Sequence, residues 1–249
     1  MSIAPQTIEN EIVNGLNLLQ ESGRFVSKDS LQWRKLERAT RDLIKADAAK
    51  GWTVMGMVHA SVGDINEAVD CFNKASNLWM DDTSIFNILG TYEKLGLYTT
   101  ALKLYSEFGG PERGVFQEVF AFGMSKSAFQ LTSRFIDAAK RVKIEMNESS
   151  IRSAEKSAKI LRGFNISDED VAKHLDAAGV VLRDKKMLNI REPEILATDI
   201  EGEMIGVTMI IPIECDPSEV FSYNVALAKK EEEAGVRKHP AFDVVFAAL

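Results

Sequence analysis

A spacing of small and large residues recurs along the first half of this 249-residue chain. After the glycine at position 63, Ala68, Phe72 and Ala75 stand four and three residues apart, and residues at these intervals share one face of a helix. The spacing returns in three other places: Ala39, Leu43 and Ala46; Ala101, Tyr105 and Phe108; Leu131, Phe135 and Ala138. The first members of successive copies are 29, 33 and 30 residues apart, which predicts a stack of repeated helical units.

A second helix precedes each of the two clearest copies. These partner helices, over 52–63 and 86–96, each carry two large residues and then a glycine, Gly56 or Gly90, at the same offset. A glycine inside a helix costs roughly 1 kcal/mol relative to alanine. Its repetition at one offset therefore predicts that another helix packs closely there.

At these residues the sequence resembles the tetratricopeptide repeat (TPR) family. The resemblance is good from Trp52 to Leu78, fair from Phe86 to Phe108, and extends over roughly residues 7–145. Neither clear copy has the proline that usually follows the second helix of this repeat. The resemblance implies antiparallel helix pairs stacked into a curved array.

Arrays of this family bind a protein or peptide segment on the inner face formed by the first helices of the pairs. The resemblance therefore implies a binding groove lined by Thr53, Met57, Asn87 and Thr91, with Lys50 and Ser84 nearer its edge. Family members that hold the carboxylate end of a chaperone use a set of lysines and asparagines that this sequence lacks. One alternative stays open, namely that these residues face water or pack against the C-terminal part of the same chain.

A basic segment follows the repeats. Residues 134–162 contain eight Lys or Arg and four Asp or Glu. Within this segment a predicted helix has an apolar side and a basic side, the latter made by Arg152, Lys156, Lys159 and Arg162. Such a stripe suits phosphates, an acidic partner or an anionic membrane. Because no aromatic residues interleave with the charges to stack on bases, we favour the reading that this helix caps the array and that its charges face water.

The pattern changes after residue 163, and we predict an all-α repeat domain over 1–163 and a second domain over 164–249. The second domain is expected to begin with a helix over 167–185. Strands follow over 187–200 and 203–215, joined by a turn at Glu201-Gly202, then a helix over 217–235 and a strand over 241–249. This β-β-α-β order resembles no family that we recognise, and the predicted fold class of the whole chain is α+β.

The last segment of the chain is strongly apolar, with Phe242, Val244 and Phe246 on one face of a predicted strand. We expect this strand to be buried in the sheet of its own chain. The alternative is that it pairs with a second copy and forms a homodimer.

No catalytic or metal-binding motif is recognisable, so we predict no enzyme activity, no cofactor and no metal. The three histidines do not stand at zinc-binding spacings. One enzymatic alternative uses Cys215, Asp216 and His239, which could form a Cys–His pair in the second domain, but no activating motif accompanies them.

The net charge and the number of cysteines limit the functions and locations that remain for this protein. The formal net charge is −7, which disfavours non-specific binding of nucleic acid by the whole surface. Two isolated cysteines are typical of a reducing compartment, and no apolar run reaches the length of a membrane span. We therefore expect a cytoplasmic adaptor or regulatory protein that binds a protein or peptide segment. The alternatives are a nucleic-acid-associated regulator that uses the basic helix and an enzyme in the C-terminal domain.

Overall fold

The structure is a computed structural model that describes residues 5–78, 80–111, 123, 127–200 and 204–249. The chain forms two compact units. The first unit comprises the residues up to Leu95 together with Arg183–Ile190, and the second comprises Gly96–Leu182 together with Arg191–Leu249. The basic helix and the strands thus share the second unit, and the division into domains at residue 163 stays a prediction.

Five helices build the first unit: α1 (Pro5–Gln20), α2 (Leu31–Ala46), α3 (Ala48–Ala60), α4 (Ile65–Ser76) and α5 (Asp82–Lys94). Helix α3 lies at the centre, because it packs against α1, α2, α4 and α5. Most of its residues from Gly51 onward are buried.

Short polar side chains begin the helices α2, α3 and α5. Ser30, Asp47 and Asp81 each stand in extended backbone just before a helix. Each accepts a hydrogen bond from the backbone N–H three residues later, at 3.2, 3.2 and 2.8 Å respectively. These bonds satisfy N–H groups that have no partner within the first turn of a helix.

The repeated glycine marks a close approach of α3 and α4. A Cβ atom at Gly56 would lie 2.3 Å from the ring of Phe72, so the aromatic residue of the repeat occupies the space that the glycine leaves. The Phe72 ring also meets the ring of Tyr92 on α5 edge-on, with centroids 5.2 Å apart. Gly63, which follows α3, has a φ of 79°, a conformation that glycine adopts without strain.

The second unit contains further helices and a sheet. Its elements are α6 (Tyr98–Phe108), α7 (Phe129–Arg141), α8 (Glu148–Gly163), α9 (Asp168–Asp184), β1 (Glu194–Ile200), β2 (Met204–Ile213), α10 (Val220–Glu233) and β3 (Phe242–Ala248). The predicted α+β class and the β-β-α-β order are confirmed. The predicted turn at Glu201-Gly202 lies outside the described residues.

Two carboxylates of α9 serve as caps for other helices. Asp168 accepts hydrogen bonds from the backbone N–H groups of Gln130 and Leu131, at 2.8 and 2.9 Å, and Asp176 accepts from those of Tyr98 and Thr99. The residues that precede α6 and α7 provide no side-chain cap themselves. Burial raises the pKa of Asp168 above its ordinary value, although these hydrogen bonds oppose the shift.

The sheet has the strand order β1-β2-β3, with β1 antiparallel and β3 parallel to β2. One face is buried, because alternate residues of β2 and β3 point into the protein. Helix α10 packs against β3 and α8 packs against β1 and β2.

Two predicted boundaries in this region are wrong. The first strand begins at Glu194 rather than at residue 187, because residues 186–189 bond to Gly23, Phe25 and Lys94 of the first unit and Pro193 interrupts the extended run. The last helix begins at Val220 rather than at residue 217, because the Asp216 side chain closes a turn onto Ser218 instead of capping the helix. Among the described residues, no helix is both long and apolar enough to cross a membrane.

We expect Gly56→Ala to destabilise the protein by about 2 kcal/mol, because the new methyl group overlaps the buried Phe72 ring. Gly163→Ala is the matched control, since nothing lies within 4 Å of a Cβ at that position. Urea unfolding at neutral pH measures both free energies. Equal stability of the two variants would contradict the close packing of α3 on α4.

Candidate protein-binding surfaces

The six residues predicted to line a groove all lie in the first unit, and most are inaccessible there. Four are buried: Thr53, Met57, Ser84 and Thr91. The two threonine hydroxyls donate to carbonyl oxygens one turn earlier in their own helices, at 3.1 and 2.7 Å. Asn87 and Lys50 are partly exposed. In this conformation, therefore, only these last two reach the surface.

Lys50 joins three helices through charge. Its Nζ atom lies 3.2 Å from a carboxylate oxygen of Glu9 on α1 and 3.6 Å from one of Asp81, the residue that caps α5. The Lys50 side chain is 19% exposed and that of Glu9 is 5% exposed. Burial lowers the pKa of Lys50, but the nearby carboxylates outweigh it and raise the pKa above its ordinary value. Lys50 thus links α3, on which it lies, to α1 and to the start of α5.

The first unit also holds a short segment of its own chain, residues 186–189, in which Met187 forms an isolated antiparallel β-bridge with Arg24. The side chains of Met187, Leu188 and Asn189 are buried. Three backbone hydrogen bonds hold the segment: from Phe25 N to the Lys186 oxygen at 3.0 Å, from Leu188 N to the Gly23 oxygen at 2.8 Å, and from Asn189 N to the Lys94 oxygen at 2.8 Å. Backbone bonding combined with burial of successive side chains is a common way of recognising an extended peptide.

The ends of α1 and α5 meet beside this segment. Lys94 Nζ donates a hydrogen bond to the side chain of Gln20 at 2.9 Å, and the guanidinium of Arg183 donates to the carbonyl of Leu95. Burial lowers the pKa of Lys94. The segment therefore lies against the carboxyl-terminal end of α5, where the Lys94 carbonyl accepts a hydrogen bond, and against the turn after α1, which supplies Gly23 and Phe25.

The four predicted basic residues lie on an exposed surface of the second unit. Arg152, Lys156, Lys159 and Arg162 are all exposed, while Ala154, Ala158 and Leu161 on the opposite side of α8 are buried. Arg152 makes a long contact with Glu148, at 3.9 Å. This set of four residues is called the basic face below.

Helix α7 adds charge beside the basic face. Lys140 on α7 forms an ion pair with Glu155 on α8 at 2.7 Å. Arg134 on α7 and Arg162 on α8 both lie close enough to Asp168 to lower its pKa, against the larger effect of burial. Basic residues of the two helices therefore converge near the start of α9.

The structure brings no catalytic pair together from Cys215, Asp216 and His239. The pKa of the half-buried Cys215 thiol is raised by burial and by nearby carboxylates, which disfavours the reactive thiolate. Asp216 is engaged by Ser218. No hydrogen bond joins the thiol to His239 within the described part of the chain, nor do His, Cys, Asp and Glu there form a cluster able to hold a metal.

A buried charged cluster in the second unit was missed at the sequence level. His174 on α9 and Glu231 on α10 are each 1% exposed, and their Nδ1 and Oε1 atoms lie 2.5 Å apart. The other ring nitrogen lies 3.1 Å from the carbonyl oxygen of Arg237, and Lys238 binds the second carboxylate oxygen. Both ring nitrogens therefore lie within hydrogen-bond distance of an oxygen atom. No sequence signal links residues 57 positions apart.

Comparisons with protein-family models, with curated proteins and with solved structures find no match to this chain.

We expect Glu231→Gln to destabilise the protein by about 3 kcal/mol at pH 7, because it leaves His174 and Lys238 without their carboxylate. Glu232→Gln, at the exposed neighbouring position, should change the stability by less than about 0.5 kcal/mol. Guanidinium unfolding measures both.

The pH dependence of this difference has a defined sign. Burial raises the pKa of Glu231, but the hydrogen bonds from His174 and Lys238 outweigh it and hold the pKa below the ordinary value of 4.5. The stability that the carboxylate contributes is thus fully present above pH 4.5 and is lost as the pH falls through the folded-state pKa. The wild type and Glu231→Gln should converge in stability there, and a gap that stayed constant would contradict this assignment.

Proposed function

We propose that this chain is a protein-interaction module, an adaptor or regulatory protein, whose TPR-like helix pairs bind a protein or peptide segment. The first unit supplies the binding surface. We propose binding rather than catalysis. The two free thiols fit the reducing conditions of a cytoplasmic location.

The arrangement of the first helices supports a TPR-like array. Helices α1, α3 and α5 lie side by side and share the charge of Lys50. The glycines that follow α3 and α5, Gly63 and Gly96, both have positive φ values, 79° and 63°. Equivalent turns at equivalent places are expected when one helix pair is repeated along the chain.

The observation that carries the proposal is the bound segment 186–189. The first unit forms hydrogen bonds with three backbone groups of this segment and buries three of its consecutive side chains. A unit that holds a segment of its own chain through backbone hydrogen bonds and buried side chains has the chemistry needed to hold one from another protein. A segment of a partner protein would bind at the accessible edge formed by Asn87 and Lys50. Alternatively, it would displace residues 186–189 and bind in their place.

Site-specific photocrosslinking in native lysate tests this function. We expect a benzophenone amino acid at Asn87, on the first-helix side, to give one discrete protein adduct that survives nuclease treatment. The matched control is the same amino acid at Asn73, an exposed position on the second helix α4, which should give no such adduct. Equal labelling at both positions, or none at Asn87, would contradict the proposal.

The basic face supports a second candidate function, the binding of nucleic acid. All four of its residues are exposed, and the one contact that Arg152 makes with Glu148 spans 3.9 Å. Phosphate contacts release counterions, so such binding would weaken steeply with salt.

A paired charge reversal tests this second function. If the basic face binds single-stranded nucleic acid, Lys156→Glu with Lys159→Glu should lower the slope of log affinity against log salt by about 0.7 per lost phosphate contact. The control, Lys35→Glu with Lys229→Glu, reverses two exposed lysines elsewhere and changes the net charge equally. Fluorescence anisotropy with a labelled oligonucleotide measures both, and equal losses would exclude a localised site.

A further inference from the structure

The two edges of the sheet differ in how their backbone groups are satisfied. The N–H of Val207 on β2 donates to the carbonyl of Ala241 at 2.9 Å, so the backbone of Val207 faces β3. Since backbone groups alternate in direction along a strand, the partner of Val207 on β1, Ala197, directs its own N–H and C=O away from β2. The same alternation identifies the residues of β1 and β3 whose N–H and C=O groups point away from β2.

The outer edge of β3 is occupied by the chain itself. Its outward N–H groups belong to Phe242, Val244, Phe246 and Ala248. The first three donate to the carbonyl of His239 at 3.4 Å, to the side chain of Asp243 at 2.9 Å and to the side chain of Asn224 at 2.8 Å. Asn224 also donates to the carbonyl of Phe246 at 3.0 Å, so its amide replaces a neighbouring strand there.

Among the described residues, the outer edge of β1 has no such partners, since β1 pairs with β2 alone. Its outward-facing residues are Ile195, Ala197 and Asp199. The strand contains no proline, no lysine and no bulge, three devices that keep an edge from pairing, and its charged residues are Glu194 and Asp199. On its outer face, Leu196 is 45% and Ile200 is 47% exposed.

We propose that β1 is an interaction surface for a second copy of this chain, which adds its own β1 antiparallel to form a continuous six-stranded sheet. The two-fold axis passes through Ala197. In this register Ala197 pairs with Ala197 of the other copy, and Ile195 pairs with Asp199 of the other copy. Every outward-facing N–H and C=O of β1 then finds a partner, and the interface is self-complementary, as two-fold symmetry requires.

The charges of the strand favour a second copy in this orientation. The only charged residues of β1 are Glu194 and Asp199. The antiparallel register places Glu194 opposite Ile200 and Asp199 opposite Ile195, so no carboxylates face each other. A parallel arrangement would set identical carboxylates side by side, which is unfavourable for directly opposed residues. Leu196 and Ile200 of both copies would then lie on one face of the joined sheet.

The predicted dimer is weak. Each copy contributes the seven residues of one strand, compared with about 20–30 residues per partner in a stable interface of standard size. This inference does not depend on the proposed function, since β1 lies in the second unit and the bound segment lies in the first.

Sedimentation equilibrium of the full-length protein over a concentration series reaching the millimolar range tests the proposal. We expect a reversible monomer–dimer equilibrium for the wild type. Ala197→Pro removes the central outward N–H without removing a bond to β2, and it should weaken dimerisation at least tenfold. Ala197→Ser keeps the N–H and should dimerise like the wild type.

A crosslinking experiment tests the register without depending on the proline variant. In a Cys215→Ser background, Ala197→Cys places two thiols opposite each other across the axis, at the spacing of about 5.5 Å between Cα atoms that suits a disulfide. Thr198→Cys is the control, because Thr198 faces Leu196 of the other copy. Oxidation should give a covalent dimer with Ala197→Cys only. A wild type that stays monomeric, or equal crosslinking of the two variants, would overturn the proposal.

Discussion

The burial of α3 is the constraint on which the first unit depends. This helix is surrounded by α1, α2, α4 and α5, so each of its polar groups must find a partner inside the protein. The hydroxyl of Thr53 bonds back to its own helix, and Lys50 is neutralised by Glu9 and Asp81. These contacts satisfy the polar groups of α3 and also link α3 to α1 and to the start of α5. The surface that could meet a partner is then formed by the edges of these helices.

Local sequence signals predicted the elements well because their causes are local. Gly56 was expected to mark a close helix contact, and the Phe72 ring lies against it. The amphipathic character of α8 was visible in the spacing of its alanines and lysines. The change to alternating apolar residues predicted the sheet. In each case the physical cause, a missing side chain or a helical period, lies within a few residues of the signal.

Contacts between distant parts of the chain could not be predicted in this way. Asp168 and Asp176 cap helices that begin about 38 and 78 residues earlier. The sequences of those helices do not indicate which distant side chain caps them. The burial of residues on α3 could not be predicted for the same reason. The helical period shows which residues share a face of the helix, but it does not show which neighbouring helix covers that face. Thr53 and Met57 were expected on an accessible face and are buried in the first unit.

Extended backbone needs partners, and the two units provide them differently. In the second unit, Asn224 and Asp243 complete the outer edge of β3, so the last strand belongs to the sheet of its own chain. In the first unit, residues 186–189 obtain their partners from the end of α5 and from the turn after α1. The account of this protein as an interaction module depends on this second contact, since it is the direct instance of a segment held by the helices.

Hydrogen–deuterium exchange of the full-length protein measures this contact most directly. The amides of Leu188 and Asn189 donate to carbonyl groups of Gly23 and Lys94 at 2.8 Å, and Glu192, a few residues later, is exposed. The account predicts that the first two amides exchange slowly, at rates comparable to those of amides within α5, while that of Glu192 exchanges rapidly. Exchange of Leu188 and Asn189 as fast as Glu192 would contradict the claim that the helical unit holds an extended segment.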